Sequence, residues 1–137
     1  MLKNFEKFLS ELKNSSVRVV RTNAYPEPGK ATVKLLFSEG SKLEADYWRV
    51  IKNGKAGSSS FDHQQKYGLP AAIDAIEYLQ TELDGQIVSD VQLDKETGDL
   101  NFRFAKNIKL QVLNLSGYEV WTISFCYGGG EYSNYAK

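Results

Sequence analysis

Two stretches of this chain repeat one another's hydrophobic pattern, and the repetition restricts the possible folds more than any other feature. A shift of 67 residues lays Val33, Leu35, Phe37, Gly40, Lys42, Leu43 and Ala45 onto Leu100, Phe102, Phe104, Asn107, Lys109, Leu110 and Val112. A shift of 71 lays Leu2, Phe5, Phe8 and Leu12 onto Ile73, Ile76, Leu79 and Leu83, with Asn14 falling on Gly85. Amphipathic strands resemble one another easily, but the caps and turns match as well. The chain therefore reads as two αβββ units, at about residues 1–66 and 67–126, followed by a tail at 127–137. The second unit carries an extra C-terminal strand. A unit of this size buries little surface alone, so residues 1–137 are expected to form a single domain around one core.

Within each unit the periodicities are plain. Leu2, Phe5, Phe8, Leu9 and Leu12 fall three or four apart, which predicts a helix over 2–13, with Asn14 as a left-handed cap. Ile73, Ile76, Leu79 and Leu83 predict a second helix over 70–84, with Pro70 in its first turn and Gly85 as its stop. Strands are predicted at 17–22, 31–38, 42–50, 86–93, 100–105, 108–115 and 119–125. Glu39-Gly40 reads as a tight turn, and Lys95 to Asp99 as a hairpin loop in which Gly98 takes a positive φ. Val33, Leu35, Phe37, Leu43, Ala45, Leu100, Phe102, Phe104, Leu110 and Val112 point one way; Lys34, Glu44, Asp46, Asn101, Arg103, Lys109 and Gln111 point the other. The expected class is α+β: both units share one antiparallel sheet, with the helices packed on one face and a polar face opposite.

Several chemistries are excluded. Cys126 is the single cysteine, so no intrachain disulfide or multi-cysteine metal knuckle can form. Charges interrupt the N-terminal residues before a signal-peptide core develops, and no stretch approaches the ~18 apolar residues of a membrane span. A reducing, cytoplasmic location and no membrane partner are expected. His63 is the single histidine and has no clustered cysteines or carboxylates, so no metal or other cofactor is expected. A Cys126–His63 nucleophile pair is conceivable only in space, because neither residue sits in a local catalytic signature. Asn53 to Ser60 resembles a phosphate loop in composition alone, since Ala56 follows Lys55 where Ser or Thr is required. Asp94 to Asp99 suggests a calcium loop, but its twelfth position is Ala105 and not Glu. The chain reads as non-enzymatic.

Charge is balanced overall, with 17 basic and 17 acidic residues, but it is not evenly spread. Through Lys66 the net charge is +5, and from Tyr67 onward it is −5. Between Tyr67 and Asp99, eight acids face only Lys95. Such runs ordinarily mark solvated faces. The functional reading is an acidic docking surface, with Asp90, Asp94, Glu96 and Asp99 in or beside one hairpin as its candidate contacts. The segment Lys52 to Gly68 is long for a loop and mildly basic, with Phe61 and Tyr67 at its flanks. Nucleic-acid binding is not expected, because it needs a stronger basic footprint. Trp121 reads as core. Trp48 breaks the alternation of its strand and, with the tail tyrosines Tyr132 and Tyr135, is a candidate contact residue.

The second unit also carries a resemblance. Thr97-Gly98-Asp99-Leu100, Leu110, Gly117-Tyr118-Glu119-Val120-Trp121 and Glu131-Tyr132-Ser133-Asn134-Tyr135 resemble small bacterial proteins, several of which look like immunity proteins. These are encoded beside the polymorphic toxins of contact-dependent growth inhibition. The resemblance covers mainly residues 86–135. It implies a cytosolic, non-enzymatic protein that binds one cognate toxin domain and occludes its active site. Many immunity proteins to nucleases are strongly acidic, whereas this chain is neutral overall and acidic only in its second half. No toxin-contact residue carries over, because no motif defines one. The alternative is a regulatory domain that binds a small molecule between sheet and helices.

Overall fold

A computed structural model describes residues 4–24 and 27–133; Leu2 and Tyr135, singled out above, lie outside them. The first half runs α1 (Phe5–Ser10), β1 (Val17–Arg21), β2 (Val33–Phe37), β3 (Lys42–Ala45), β4 (Trp48–Lys52) and β5 (Lys55–Ser59), then a short 3-10 turn at Ser60–Asp62. The second half runs α2 (Ala75–Leu83), β6 (Val88–Leu93), β7 (Leu100–Phe104), β8 (Ile108–Val112), β9 (Trp121–Ser124) and β10 (Gly130–Tyr132). All strand pairs are antiparallel, so the α+β class stands.

The single sheet expected from the sequence is corrected to two. Their strand orders are β1-β2-β3-β9-β10 and β5-β4-β8-β7-β6. The repeat explains this arrangement. Each half contributes three strands to one sheet and sends its last two across to the other, so the halves exchange hairpins about a pseudo-twofold relation. Hydrogen bonds repeat accordingly. Asn14 N–H donates to Val88 O at 2.8 Å, and Gly85 N–H to Val17 O at 2.9 Å. At the crossover, Asp46 N–H donates to Val120 O at 3.0 Å and Leu113 N–H to Tyr47 O at 2.8 Å. The Trp48 indole N–H donates to Ala31 O at 2.8 Å, and the Trp121 indole to Gly98 O at 2.9 Å. Ala31 and Gly98 each lie two residues before an equivalent strand, β2 or β7.

The inner faces of the sheets form one continuous core. Every residue of β2, β3, β7 and β8 assigned inward by alternation is buried, and Phe37 of one sheet stacks on Phe102 of the other with ring centroids 5.8 Å apart. The helices do not share one face, a second correction. α1 lies against β6 of one sheet, while Phe5 reaches the other through Trp121 and Phe125 at centroid distances of 6.1 and 5.8 Å. α2 lies against β1 and β5, which also belong to different sheets. α2 further covers the free edge of β1: Asp84 accepts the Val19 N–H at 2.7 Å, and Gln80 donates to Val19 O at 3.2 Å. Covering an edge this way removes a template for pairing with another chain.

Element boundaries shift where local chemistry outweighs pattern. α2 begins at Ala75 and not at Pro70, because Asp74 is its N-cap and accepts the Glu77 N–H at 3.1 Å. Gly85 (φ 84°) follows the α2 C-cap Asp84 in the left-handed conformation expected of a stop. Asn14 (φ 71°) is left-handed too, but α1 ends at Ser10 with Glu11 as its C-cap, so the capping role expected of Asn14 is corrected. The strand predicted over 42–50 is two strands, parted at Asp46-Tyr47 where the chain changes sheets. The predicted loop 52–68 contains a hairpin: Asn53 (φ 54°) and Gly54 (φ 77°) form the two-residue turn between β4 and β5. β10 lies in the predicted tail, so both halves extend past three strands.

The cap supplies a measurable prediction. Asp74→Ala should lower the unfolding free energy by roughly 1–2 kcal/mol in urea titration, whereas Asp74→Asn, which keeps an acceptor, should lose less than half of that. The Arg21–Asp74 ion pair contributes little of this, because both side chains are partly exposed.

Candidate functional site

The residues from Ser60 to Asp74 cross the surface without regular structure after the 3-10 turn, yet they are firmly tied down. Ser60 Oγ accepts the Trp48 N–H at 3.0 Å, and the Asp62 carboxylate accepts the Ser59 N–H at 3.1 Å. Gln64 N–H donates to Ile73 O at 2.9 Å, and Ile73 N–H to Gln65 O at 2.8 Å, which closes the segment into a compact loop. At its base His63 is only 2% exposed, and its Nδ1 accepts the Ala75 N–H at the start of α2, at 3.2 Å.

This pinned loop displays apolar side chains outward. Phe61 is 63% exposed, Tyr67 60% and Leu69 52%, all within nine residues. Tyr67 is held by its hydroxyl, which donates to Asp62 Oδ1 at 3.0 Å. Gln64 (φ 66°) and Tyr67 (φ 46°) adopt left-handed backbone conformations that cost a non-glycine residue on the order of 1 kcal/mol each. The loop therefore shows aromatic and aliphatic surface in a fixed geometry, so little entropy remains to be lost when that surface is covered.

Beside the loop is a cavity of about 210 Å³, lined among the described residues by Arg21, Thr22, Ala24, Lys30, Ala31, Thr32, His63 and Ile76. Burial holds His63 below the usual histidine pKa; Asp74, 4.0 Å from Nδ1, opposes that effect and Arg21 reinforces it. The ring is therefore neutral at pH 7. Asp74 sits below the usual carboxylate range despite desolvation, because Arg21 and the Glu77 N–H both favour its charged form.

The residues expected at a contact surface fall in two groups. Trp48 is corrected as to its position: it is 1% exposed and fills the core, and its indole is spent on Ala31. Asp90, Asp94, Glu96 and Asp99 do lie together around the β6–β7 hairpin, but most of them have work within the fold. Asp90 pairs with Lys13 at 3.5 Å. Asp94 Oδ1 accepts the N–H groups of Glu96 and Thr97, and Asp99 Oδ1 accepts the Asn114 N–H at 2.7 Å. Glu96 is exposed.

Cys126 and His63 are held by different neighbours. Cys126 Sγ lies 3.0 Å from Glu39 Oε2, and that carboxylate raises the thiol pKa, which keeps the sulfur protonated and weakly nucleophilic. Among the described residues, no group of three His, Cys, Asp or Glu side chains could hold a metal ion, and no helix is long and apolar enough to cross a membrane. Comparison with family models, curated proteins and solved structures finds no match for the chain.

Sequence reasoning named Phe61 and Tyr67 only as the flanks of a basic strip, and it missed Leu69. The signal was present in the length of the segment and in its aromatic content.

Proposed function

We propose that this protein is a non-enzymatic binding protein of the immunity type, which neutralises a cognate bacterial toxin domain by covering its active site in the cytoplasm. The observation that carries the reading is the pinned loop displaying Phe61, Tyr67 and Leu69. Binding energy concentrates in aromatic anchors held rigidly at the centre of an interface. The exposed acids of the β6–β7 hairpin, Asp94 and Glu96, have a separate role in this reading. They steer the encounter with a basic toxin surface and act mainly on the association rate.

The test is co-expression with the product of the neighbouring toxin gene, followed by binding kinetics on the purified pair. The wild type should protect cells and bind. Phe61→Ala/Tyr67→Ala should weaken binding at least about tenfold, mostly through faster dissociation, with unfolding stability changed by no more than ~0.5 kcal/mol. Asp94→Lys/Glu96→Lys should slow association and flatten its salt dependence. Absence of protection and of binding would overturn the reading. Unchanged binding by the aromatic double variant would move the interface off this loop.

The alternative, a domain that takes up a small molecule, draws on a different observation, the cavity that His63 lines.

A further inference from the structure

His63 uses only one of its two ring nitrogens. Nδ1 accepts the Ala75 N–H, so the single proton of the neutral ring resides on Nε2. Nε2 has no protein hydrogen-bond partner among the described residues and is not sealed from solvent, and the ring forms part of the cavity wall. A histidine with 2% exposure thus presents an unspent N–H to a cavity. No buried side-chain nitrogen or oxygen lacks a partner among the described residues, so this N–H is reached by solvent through the cavity and is open to an acceptor held there.

The remaining walls describe that acceptor. Arg21 and Lys30 bring two cations to the cavity, and Ala31 and Ile76 supply apolar surface. Arg21 is already paired with Asp74, and Lys30 with Glu27 at 3.6 Å. With His63 neutral, these side chains sum to no net charge. The Lys30–Glu27 pair is a loose surface contact of little strength, so Lys30 can turn toward a ligand at small cost. That releases one positive charge and no more.

We propose that the cavity is a binding site for a small organic monocarboxylate, with its carboxylate on His63 Nε2–H and Lys30 and its apolar end against Ala31 and Ile76. The volume of about 210 Å³ equals that of roughly seven liquid waters, room enough for a carboxylate of four carbons. A dianionic phosphate would bring a second charge that the site does not offset. The site stands independently of the toxin reading, since neither Phe61 nor Tyr67 lines it.

His63 is the only histidine, so its ring gives a single, unambiguous pair of nitrogen signals in a ¹⁵N-labelled sample of the whole chain. Butyrate added at pH 7 should shift the Nε2–H resonance saturably, with a dissociation constant on the order of 1 mM, as expected for so small a ligand. Sodium chloride should leave it unmoved, and inorganic phosphate, compared with butyrate at pH 8 where it is mostly the dianion, should bind at least tenfold more weakly. Lys30→Met should weaken butyrate binding about tenfold, one lost charge contact, while the melting temperature without ligand stays as in the wild type. No saturable shift with butyrate, phosphate binding as tightly, or unchanged affinity in Lys30→Met would each overturn the proposal.

Discussion

Replacing Trp48 with alanine should cost the folded state about 3–5 kcal/mol, the usual range for truncating a large buried aromatic residue. Trp48 is among the largest fully buried side chains, and its indole satisfies Ala31 O, which the truncation would leave with a lost partner. Domains of this kind are stable by ~5–15 kcal/mol, so the loss is a large share of the total. The melting temperature should fall by roughly 10–20 °C. Trp121→Ala should fall in the same range, because Trp121 makes the corresponding bond to Gly98 O from the equivalent strand. Urea titration followed by circular dichroism measures both. A solvent-facing contact residue would change stability by less than ~0.5 kcal/mol. A loss below about 1 kcal/mol at Trp48 would therefore contradict its place in the core.

Trp48 also shows why the sequence misled at that point. Read as one strand over 42–50, the alternation places Tyr47 inward and Trp48 outward. The break at Asp46-Tyr47, where the chain passes from one sheet to the other, resets the phase. A slip of one residue moves every later side chain to the opposite face. Neither Asp46 nor Tyr47 is a glycine or proline, so no turn chemistry announced the break. The break comes from tertiary structure, since Asp46 N–H donates to Val120 O in the other half.

The repeat itself was legible because it is written in burial. The inward residues of β2, β3, β7 and β8 recur at a constant offset and all face the core. What alternation cannot specify is which strand edge meets which. An amphipathic strand has two chemically similar edges, and the exchange of β4-β5 and β9-β10 between sheets turns on that choice. β5 was missed for a different reason. Lys55-Ala56-Gly57-Ser58-Ser59 lies at a sheet edge and buries little, so it carries no hydrophobic signal. Asn53-Gly54 before it was a readable hairpin turn that the phosphate-loop comparison obscured.

The candidate site was less legible than the fold. His63 was weighed as a ligand or a base, the roles in which a histidine is usually noticed. Its place at the base of the loop depends on Ala75 and the cavity wall, which meet it only once α2 is docked. The acidic hairpin was legible as a cluster of charge, but sequence could not reveal that Asp94 and Asp99 accept backbone N–H groups.

His63 should also make the protein lose stability on mild acidification. Its folded-state pKa lies below that of a free histidine, chiefly through burial, with Asp74 opposing the effect and Arg21 adding to it; Lys30 also lines the adjoining cavity. As pH falls through about 6.5, the unfolded chain binds a proton that the folded chain refuses. Stability therefore declines with falling pH, with a slope of at most about 1.4 kcal/mol per pH unit for one proton, until the folded-state pKa is reached. Protonation of Nδ1 would also replace the acceptor for Ala75 N–H with a second donor and loosen the start of α2. Because His63 is the only histidine, no other imidazole contributes between pH 5 and 7. Asp74, held low by Arg21 and the Glu77 N–H, adds a further loss only below the usual carboxylate range. Urea titrations from pH 7.5 to 5 should show the decline in the wild type, and His63→Asn, whose amide oxygen can replace Nδ1 as acceptor, should flatten it. Should that variant fail to fold, the imidazole signals of the folded wild type decide the matter. Titration of His63 at or above the unperturbed value would refute the prediction.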